Sequence, residues 1–330
     1  MSAHFPDRET VHTVLSLATR APSVHNTQPW RWRVGSTSLH LYADRGLHLP
    51  STDPDGRDLI LSCGMALHHC VVALAALGWQ TKIHRLPNPD EPEHLAAIEV
   101  YRHPADEIDI TLAAAIPRRH TDRRRYSAWN VPANYIALLG ARAARGGVVL
   151  RQMESLPELR DIVAQSVRRH AANLDYLTEL TTWSGRYASL AGVPARNTPE
   201  PDPTAPLPPR LFAGPILPQP DETEPVDDHA VVLALGTKDD SMMARLRAGE
   251  ATSLILLSAT ALGLATCPVT EPLEITETRD AVQVEVFGLS AIPQMLLRVG
   301  WAPVNADAVP ATPRRPLSDV VEYLDGSAFE

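Results

Sequence analysis

Two stretches of the chain are apolar on almost every side when they are read with the period of an α-helix. The first reads LSCGMALHHCVVALAALGWQT from Leu61, and the second reads LRAGEATSLILLSATALGLAT from Leu246. A helix that is apolar all round is typical of a protein interior, so both stretches are predicted to be long core helices. Each is expected to end at its Ala-Leu-Gly, because glycine readily adopts the left-handed conformation of a helix C-terminal cap.

The two stretches also match each other without a gap, at an offset of 185 residues from Leu61 to Leu246, and 7 of their 21 positions are identical. The match predicts a fusion of two related halves, a covalent pseudo-dimer whose long helices meet at the pseudo-twofold axis. We expect residues 1–110 to form the first half and residues 111–330 the second. The identical pairs are Leu61/Leu246, Gly64/Gly249, Ala66/Ala251, Ala76/Ala261, Leu77/Leu262, Gly78/Gly263 and Thr81/Thr266.

Shorter segments around the long helices indicate further helices and strands. A helix is expected from about Glu9 to Arg20, where Pro22 breaks it, and another over about 131–144. Runs rich in β-branched and aliphatic residues predict strands at 38–43, 95–101, 147–153, 231–236 and 294–301. Helices and strands mixed in this order predict an α+β fold.

Proline is concentrated in one place, because 11 of the 30 prolines lie between Pro194 and Pro225. Proline removes a backbone donor, so neither a long helix nor a central strand is expected there. One interpretation is a solvated linker. The other is an ordered lid across a pocket, with Leu211, Phe212 and Ile216 as apolar anchors. The segment interrupts the second half and does not join independent domains, which favours a lid insertion over residues 190–228.

Composition narrows the classes of protein. Hydrophobic residues make up 44% of the chain, which excludes global disorder, and the net charge of −9 argues against nucleic-acid binding. No apolar run reaches the roughly 20 residues that cross a bilayer, and no signal peptide is visible. The three cysteines have no close pairing and are expected to be free thiols. These features predict a cytoplasmic protein with neither a membrane nor a nucleic acid as partner.

A polar loop follows the first predicted helix, within ATRAPSVHNTQPWRWRV at 18–34. The primary amides of Asn26 and Gln28 each offer one acceptor and two donors. That set matches the alternating carbonyl and N–H edge of a flavin pyrimidine or a uracil-like ring. The alternative is a capped loop in which both amides satisfy nearby backbone groups.

A second candidate site is PRRHTDRRRYS at 117–127, where five arginines fall within eight positions. On an extended strand, Arg119, Thr121 and Arg123 lie on one side, which suits a phosphate monoester. The alternatives are a solvated basic turn or ion pairs with the chain's own acids. Nucleic acid is a weaker option, because no aromatic platform is interleaved with the arginines.

A third candidate is GLATCPVTEP at 263–272, which is expected to turn sharply after the second long helix. Cys267 has no base near it in sequence, so a plain buried thiol is favoured over a nucleophile. His68, His69 and Cys70 diverge around a helix and cannot chelate one metal together. The chain also lacks the dinucleotide, P-loop, zinc-protease and C-x-x-C motifs.

Motifs within these candidate sites, taken together, resemble those of one known protein family. APSVHNTQPW resembles the signature of nitroreductase-like flavoproteins, and Arg119-His120-Thr121-Asp122-Arg123 resembles their R-x-[ST]-x-R phosphate motif. ALGLATCPVT resembles their glycine-led turn, and LLRVGWAP followed by PRRPL resembles their last core strand and C-terminal arginine. Over about 1–165 and 230–320 the chain is similar to the Acg-type branch, which has a fused, double-length nitroreductase fold.

The resemblance implies one complete FMN site, a degenerate second site, and a protein that is monomeric or a weak homodimer. It implies reduction of a nitro- or quinone-type acceptor by NAD(P)H through FMN, with no catalytic side chain. The alternative is an FMN-sequestering protein associated with stress or dormancy. The chain departs from the family at Thr270 and Glu271, where many members have an acidic residue and a glycine. The implied cofactor-binding residues are Pro22, Ser23, Val24, Asn26, Gln28, Trp30, Arg119, Thr121, Arg123, Pro268, Val269, Thr270 and Arg315.

Overall fold

The predicted α+β architecture is confirmed in a computed structural model, which describes residues 5–153, 156–185, 189–202, 205–219, 228–303 and 306–329. The helices of these residues are α1 (Arg8–Ala18), α2 (Arg57–Ala76), α3 (Glu107–Ala115), α4 (Ala133–Arg145), α5 (Leu156–Ala171), α6 (Leu174–Trp183), α7 (Met242–Ala261) and α8 (Thr276–Val282), which runs into a π-helical turn, Gln283–Phe287.

Nine strands form two sheets. The strands are β1 (Trp30–Val34), β2 (Ser38–Ala43), β3 (Trp79–Arg85), β4 (His94–Arg102), β5 (Val149–Gln152), β6 (Val231–Thr237), β7 (Ala265–Val269), β8 (Ile292–Gly300) and β9 (Val321–Tyr323). The first sheet has the order β3-β4-β2-β1-β9 and the second β5-β6-β8-β7. All neighbours are antiparallel except β1 and β9.

The two long helices connect the sheets. α2 packs on the first sheet, α7 packs on the second, and the two helices pack extensively against each other. One hydrophobic core therefore runs through the whole arrangement, with Leu41, Leu67, Ile255 and Leu297 among its members. Burial of so much apolar surface in one cluster is the main contribution that holds the two sheets together.

The α2–α7 contact is made by equivalent residues of the two matching stretches. A Cβ on Gly64 would lie 2.2 Å from the carbonyl oxygen of Leu246, and a Cβ on Gly249 would lie 2.2 Å from that of Leu61. Four residues further along, His68 Nδ1 is 2.8 Å from Ser253 Oγ, again at the offset of 185. Such reciprocal contacts are what a pseudo-twofold axis would produce, and the duplication itself stays a prediction.

Both long helices end where the sequence predicts. α2 stops at Ala76 and α7 at Ala261, and Gly78 and Gly263 follow in the left-handed region with φ of 82° and 83°. α2 is also long and apolar enough to cross a membrane, but 78% of its most apolar window is buried inside the protein. That burial is typical of a core helix.

Several elements differ from the expectations. Most of the sharp turn expected between Gly263 and Pro272 is instead strand β7, which begins two residues after the glycine, at Ala265. β1, β3 and β9 were also not predicted. β9 lies near the C-terminus yet completes the first sheet beside β1. It therefore crosses the expected boundary between residues 1–110 and 111–330, and that division stays a prediction.

Candidate functional site

A cavity, here called the central cavity, opens between the α1–β1 loop, the first half of α2, strand β7 and the segment that follows α3. Eight of the residues singled out from the sequence line it. They are Pro22, Ser23, Val24, Thr121, Arg123, Pro268, Val269 and Thr270.

The α1–β1 loop is fixed by hydrogen bonds of its own. The Gln28 backbone N–H donates to Ser23 Oγ at 2.9 Å, and the Val24 N–H donates to Ser62 Oγ of α2 at 3.2 Å. His25, Asn26 and Gln28 all have positive φ, between 46° and 55°. Backbone of this kind is costly for residues other than glycine, so the loop is held in one shape by its contacts.

A smaller pocket, here called the arginine pocket, adjoins the central cavity and shares Thr121 and Arg123 with it. Arg20, Arg119 and Arg314 complete its basic lining, and no carboxylate lies among the described residues that line it. Arg119 is buried, and within the described part of the chain its Nε and Nη1 have no hydrogen-bond partner. A buried guanidinium without a partner is costly, so this pocket fits an anion such as phosphate.

The charges in the arginine pocket repel one another. Burial and the neighbouring Arg20 and Arg123 lower the pKa of Arg119 to about 10. Burial and the neighbouring Arg119 and Arg20 lower the pKa of Arg314 to about 9. An anion bound here would offset this repulsion and raise both pKa values.

The local backbone explains which arginines reach the pocket. Thr121 forms a parallel bridge with Thr266, so the chain is extended there and alternate residues point the same way. Arg124 points elsewhere and pairs with Asp122 at 2.8 Å. Of the five arginines, Arg119 and Arg123 line the pocket. Arg124 and Arg125 form ion pairs with the chain's own acids, and Arg118 donates to the Ala114 carbonyl.

The C-terminal arginine of the pocket is Arg314, where the sequence resemblance implied Arg315. The Arg314 guanidinium donates to Asn26 Oδ1 at 3.0 Å and to the Thr19 carbonyl at 3.0 Å. Arg315 instead donates from its side chain to the Asp319 carbonyl at 3.0 Å, and it does not line the pocket. The backbone path through Pro313 decides which of two adjacent arginines turns inwards.

The amide of Asn26 is engaged by other parts of the chain, unlike the expectation that it faces a flavin edge. Its Nδ2 donates to the carbonyls of Gly192 at 3.0 Å and Pro313 at 3.2 Å, and its Oδ1 accepts from Arg314. Asn26 lines the arginine pocket, so it supports the anion site by holding Arg314 in place.

The amide of Gln28 is also engaged. Its Nε2 donates to the Leu190 carbonyl at 2.9 Å, and its Oε1 accepts from the Arg315 backbone N–H at 2.8 Å. Neither Gln28 nor Trp30 lines the cavity or the pocket, and Trp30 is fully buried in β1. Gln28 attaches two distant segments to the loop, and the role of these two residues as FMN ligands stays a prediction.

The Pro-rich segment (190–228) lies against the central cavity. Of this segment, residues 203–204 and 220–227 lie outside the described residues. Leu207 and Leu217 are buried, whereas the expected anchors Leu211 and Ile216 are 37% and 50% exposed. The lining residues it supplies are Val193, Pro199, Glu200, Asp202, Ala205, Leu207, Pro208, Pro209, Arg210, Phe212, Gln219 and Asp228.

His25 is a wall residue that the sequence did not single out. It is buried and lines the central cavity, and neither ring nitrogen has a hydrogen-bond partner in the ranges that the structure describes. Burial, with Arg210 and Arg123 nearby, holds the pKa of His25 well below its usual range. A neutral imidazole with two free nitrogens offers one donor and one acceptor to a guest in the cavity.

No family model matches the chain. It is 65% identical over 323 residues to "Putative NAD(P)H nitroreductase Rv3131" from Mycobacterium tuberculosis (strain ATCC 25618 / H37Rv), with 98% of this chain and 94% of that relative covered. It is 35% identical to "Putative NAD(P)H nitroreductase acg" from the same strain, with 94% of this chain and 95% of the relative covered. This chain belongs to the nitroreductase-like family, in its Acg-type branch.

Nitroreductases are also among the solved structures that match this chain. The FMN-dependent nitroreductase NfnB from Mycobacterium smegmatis in complex with NADPH matches with a TM-score of 0.40 and 15% identity. The match covers 66% of this chain and 99% of that chain.

Several polar and charged side chains are hydrogen-bonded to one another at the end of β7. Thr270 Oγ1 donates to Glu274 Oε1 at 2.7 Å and accepts from Arg210 at 3.3 Å. Glu271 Oε1 is 3.0 Å from Nδ1 of the buried His170. The two positions that depart from the family pattern are thus part of a buried ionic network, which also holds the Pro-rich segment through Arg210.

Proposed function

We propose that the chain binds FMN, with the phosphate in the arginine pocket and the ring system in the central cavity. The proposal rests on the buried guanidinium of Arg119, whose Nε and Nη1 have no partner among the described residues. The charged side chains that line its pocket are all basic, and the pocket adjoins the larger central cavity. A phosphate monoester carries close to two negative charges at neutral pH, which matches several converging guanidinium groups.

The described residues suggest how each part of FMN would be held. Arg119, Thr121, Arg123 and Arg314 would hold the phosphate by charge-assisted hydrogen bonds. Pro22, Ser23 and Val24 on one side, and Pro268, Val269 and Thr270 on the other, would flank the ring. Bound FMN would supply hydride transfer, while the protein positions the ring and excludes water.

We further propose that the protein is an oxidoreductase that passes hydride from NAD(P)H to a small oxidised acceptor of the nitro or quinone type. The names of its relatives supply the donor class. The test is the visible spectrum of the purified protein, in which bound flavin absorbs near about 450 nm. Anaerobic NADPH should bleach that band within seconds.

A second function is favoured by the position of the Pro-rich segment along the central cavity. With Arg210 paired to Glu271 and Glu274, the segment would keep a nicotinamide away from the flavin. The protein would then sequester FMN without turnover. The flavin absorbance band near about 450 nm would persist after NADPH is added. A colourless protein that added FMN cannot reconstitute would contradict both functions.

A further inference from the structure

The wall between the central cavity and a neighbouring side pocket contains two buried carboxyl groups. Asp53 and Asp58 are only 4% and 2% exposed, and they lie at the start of α2. Asp58 lines the central cavity, and Asp53 lines the side pocket together with Arg57. One carboxyl group of the pair therefore lines the central cavity, and the other lines the side pocket.

The hydrogen bonds of the two carboxyl groups differ. Both oxygens of Asp53 accept backbone N–H groups, from Asp58 at 3.0 Å and from Leu59 at 2.9 Å. Asp58 Oδ1 accepts from Arg57 Nη2 at 2.5 Å, and Asp58 Oδ2 has no hydrogen-bond partner among the described residues. A carboxylic acid would place its O–H on that free oxygen, where it can serve as a donor.

The local charges favour one retained proton. Arg57 pairs with Asp58 and its charge also acts on the buried Asp53, and two ionised carboxylates so close together repel each other. Burial, followed by the charge of Asp58, raises the pKa of Asp53 to about 7. Burial also raises the pKa of Asp58, against the opposing effect of Arg57.

Other charged groups surround the pair on every side. Arg210 is shared between Glu271 and Glu274, and its charge lowers the pKa of Asp58 by less than burial raises it. The surrounding groups are Asp55 in the preceding loop, Glu271 and Glu274 after β7, Arg210 of the Pro-rich segment, His170 of α5, and Asp240, Arg245 and Arg279 around the side pocket.

We propose that Asp58 is the proton donor for an acceptor reduced in the central cavity, and that Asp53 restores its proton from the side pocket. This inference rests on the proposed oxidoreductase function. Reduction of a quinone to a hydroquinone takes up two electrons and two protons, and a hydride from NAD(P)H supplies both electrons and one proton. The second proton leaves Asp58 Oδ2 for the acceptor oxygen as that O–H bond breaks. The remaining carboxylate then regains a proton from water by way of Asp53.

The first test measures quinone reduction from pH 5 to pH 9 by FMN-loaded protein that dithionite has already reduced. Dithionite bypasses NAD(P)H, so the donor step is not involved. The wild-type rate should fall as pH rises, because the donor must be protonated. Asp58→Asn should lower the rate at acidic pH by about 100-fold, the scale of general acid catalysis, and abolish the pH dependence. Asp53→Asn should move the fall to lower pH, because a neighbouring negative charge is removed.

A matched control is Glu250→Gln. Glu250 is also a carboxylate paired to an arginine, Arg85 at 2.6 Å, but it lines neither the central cavity nor the side pocket. This variant should leave the rate and its pH dependence unchanged. A wild-type-like rate and pH profile in Asp58→Asn would contradict the inference, whereas absence of quinone reduction in the wild type would contradict the proposed function.

A second readout needs neither FMN nor turnover. Infrared difference spectra of the apoprotein between pH 5 and pH 9 should show the carbonyl stretch of a buried carboxylic acid that persists to near neutral pH. Asp58→Asn should abolish or shift this band, and Glu250→Gln should retain it. A wild-type protein without such a band near neutral pH would show that no proton is stored at the pair, and the inference would fail even if the enzyme is active.

Discussion

At the scale of single residues, the arginine pocket is the strongest feature of the site. Its guanidinium groups converge without a carboxylate among the described lining residues, and Arg119 and Arg314 have lowered pKa values because of burial and mutual repulsion. A pocket of this kind costs stability unless an anion fills it. The cost is understandable if the anion is a cofactor phosphate.

This pocket leads to a first prediction. The double substitution Arg119→Ala and Arg123→Ala should release FMN, because each charged hydrogen bond to the phosphate contributes roughly 1.5–3 kcal/mol. FMN retained through gel filtration measures the effect. Arg118→Ala is the control, because Arg118 is exposed and donates to the Ala114 carbonyl at 3.1 Å. Equal FMN retention in the double variant and the control would show that the phosphate lies elsewhere.

The sequence predicts the individual site residues only in part, for a physical reason. Arg119, Thr121 and Arg123 could be placed on one side, because alternation along an extended chain is a local property. The choice of Arg314 over Arg315 depends on the path of the backbone, and the partners of Asn26 lie 166 and 287 residues away. Long-range partners of this kind leave no local signal in the sequence.

At the scale of elements, the crossing of α2 and α7 organises the molecule. Gly64 and Gly249 let the two backbones approach more closely than any side chain would permit. One wall of the central cavity, which includes Asp58, is formed by the first turns of α2. The position of this helix therefore also affects the geometry of the site.

The second prediction concerns this crossing. Gly64→Ala should lower the free energy of unfolding by at least about 1–3 kcal/mol, because the new Cβ would overpack the interface. Urea unfolding measures the change. Gly140→Ala in α4 is the matched control, since a Cβ there meets no atom within 4 Å. The control should gain about 0.5–1 kcal/mol from its better helix propensity. A Gly64→Ala protein as stable as the wild type would contradict the close crossing.

The two long core helices could be predicted, whereas α5, β1, β3 and β9 were not. Both long helices and their glycine ends follow from apolar pattern and cap chemistry. β9 has only three residues, and β7 contains Pro268, which reads as a strand breaker. The proline is tolerated because β7 is the edge strand of its sheet.

At the scale of the whole molecule, the Pro-rich segment supplies part of the lining of the central cavity. A linker would have no buried contacts, whereas this segment buries Leu207 and Leu217 and pairs Arg210 with two carboxylates. Its role as a lid, like the monomeric or weakly dimeric state, stays a proposal.

The third prediction tests the lid. Arg210→Gln should loosen the Pro-rich segment, because it removes the charge that holds Glu271 and Glu274. The rate at which NADPH bleaches bound FMN should rise, as measured by stopped-flow absorbance. Arg196→Gln is the control within the same segment, since Arg196 is exposed and makes one long contact of 3.5 Å to the Ala311 carbonyl. Equal bleaching rates in both variants and the wild type would contradict the lid and favour a linker.

Titration of the apoprotein with FMN and with riboflavin tests whether a phosphate in the arginine pocket anchors FMN. Riboflavin has the same ring but no phosphate. FMN should bind at least about 100-fold more tightly, because two or more charged hydrogen bonds would contribute roughly 1.5–3 kcal/mol each. Equal affinity for the two ligands would contradict the assignment of the pocket.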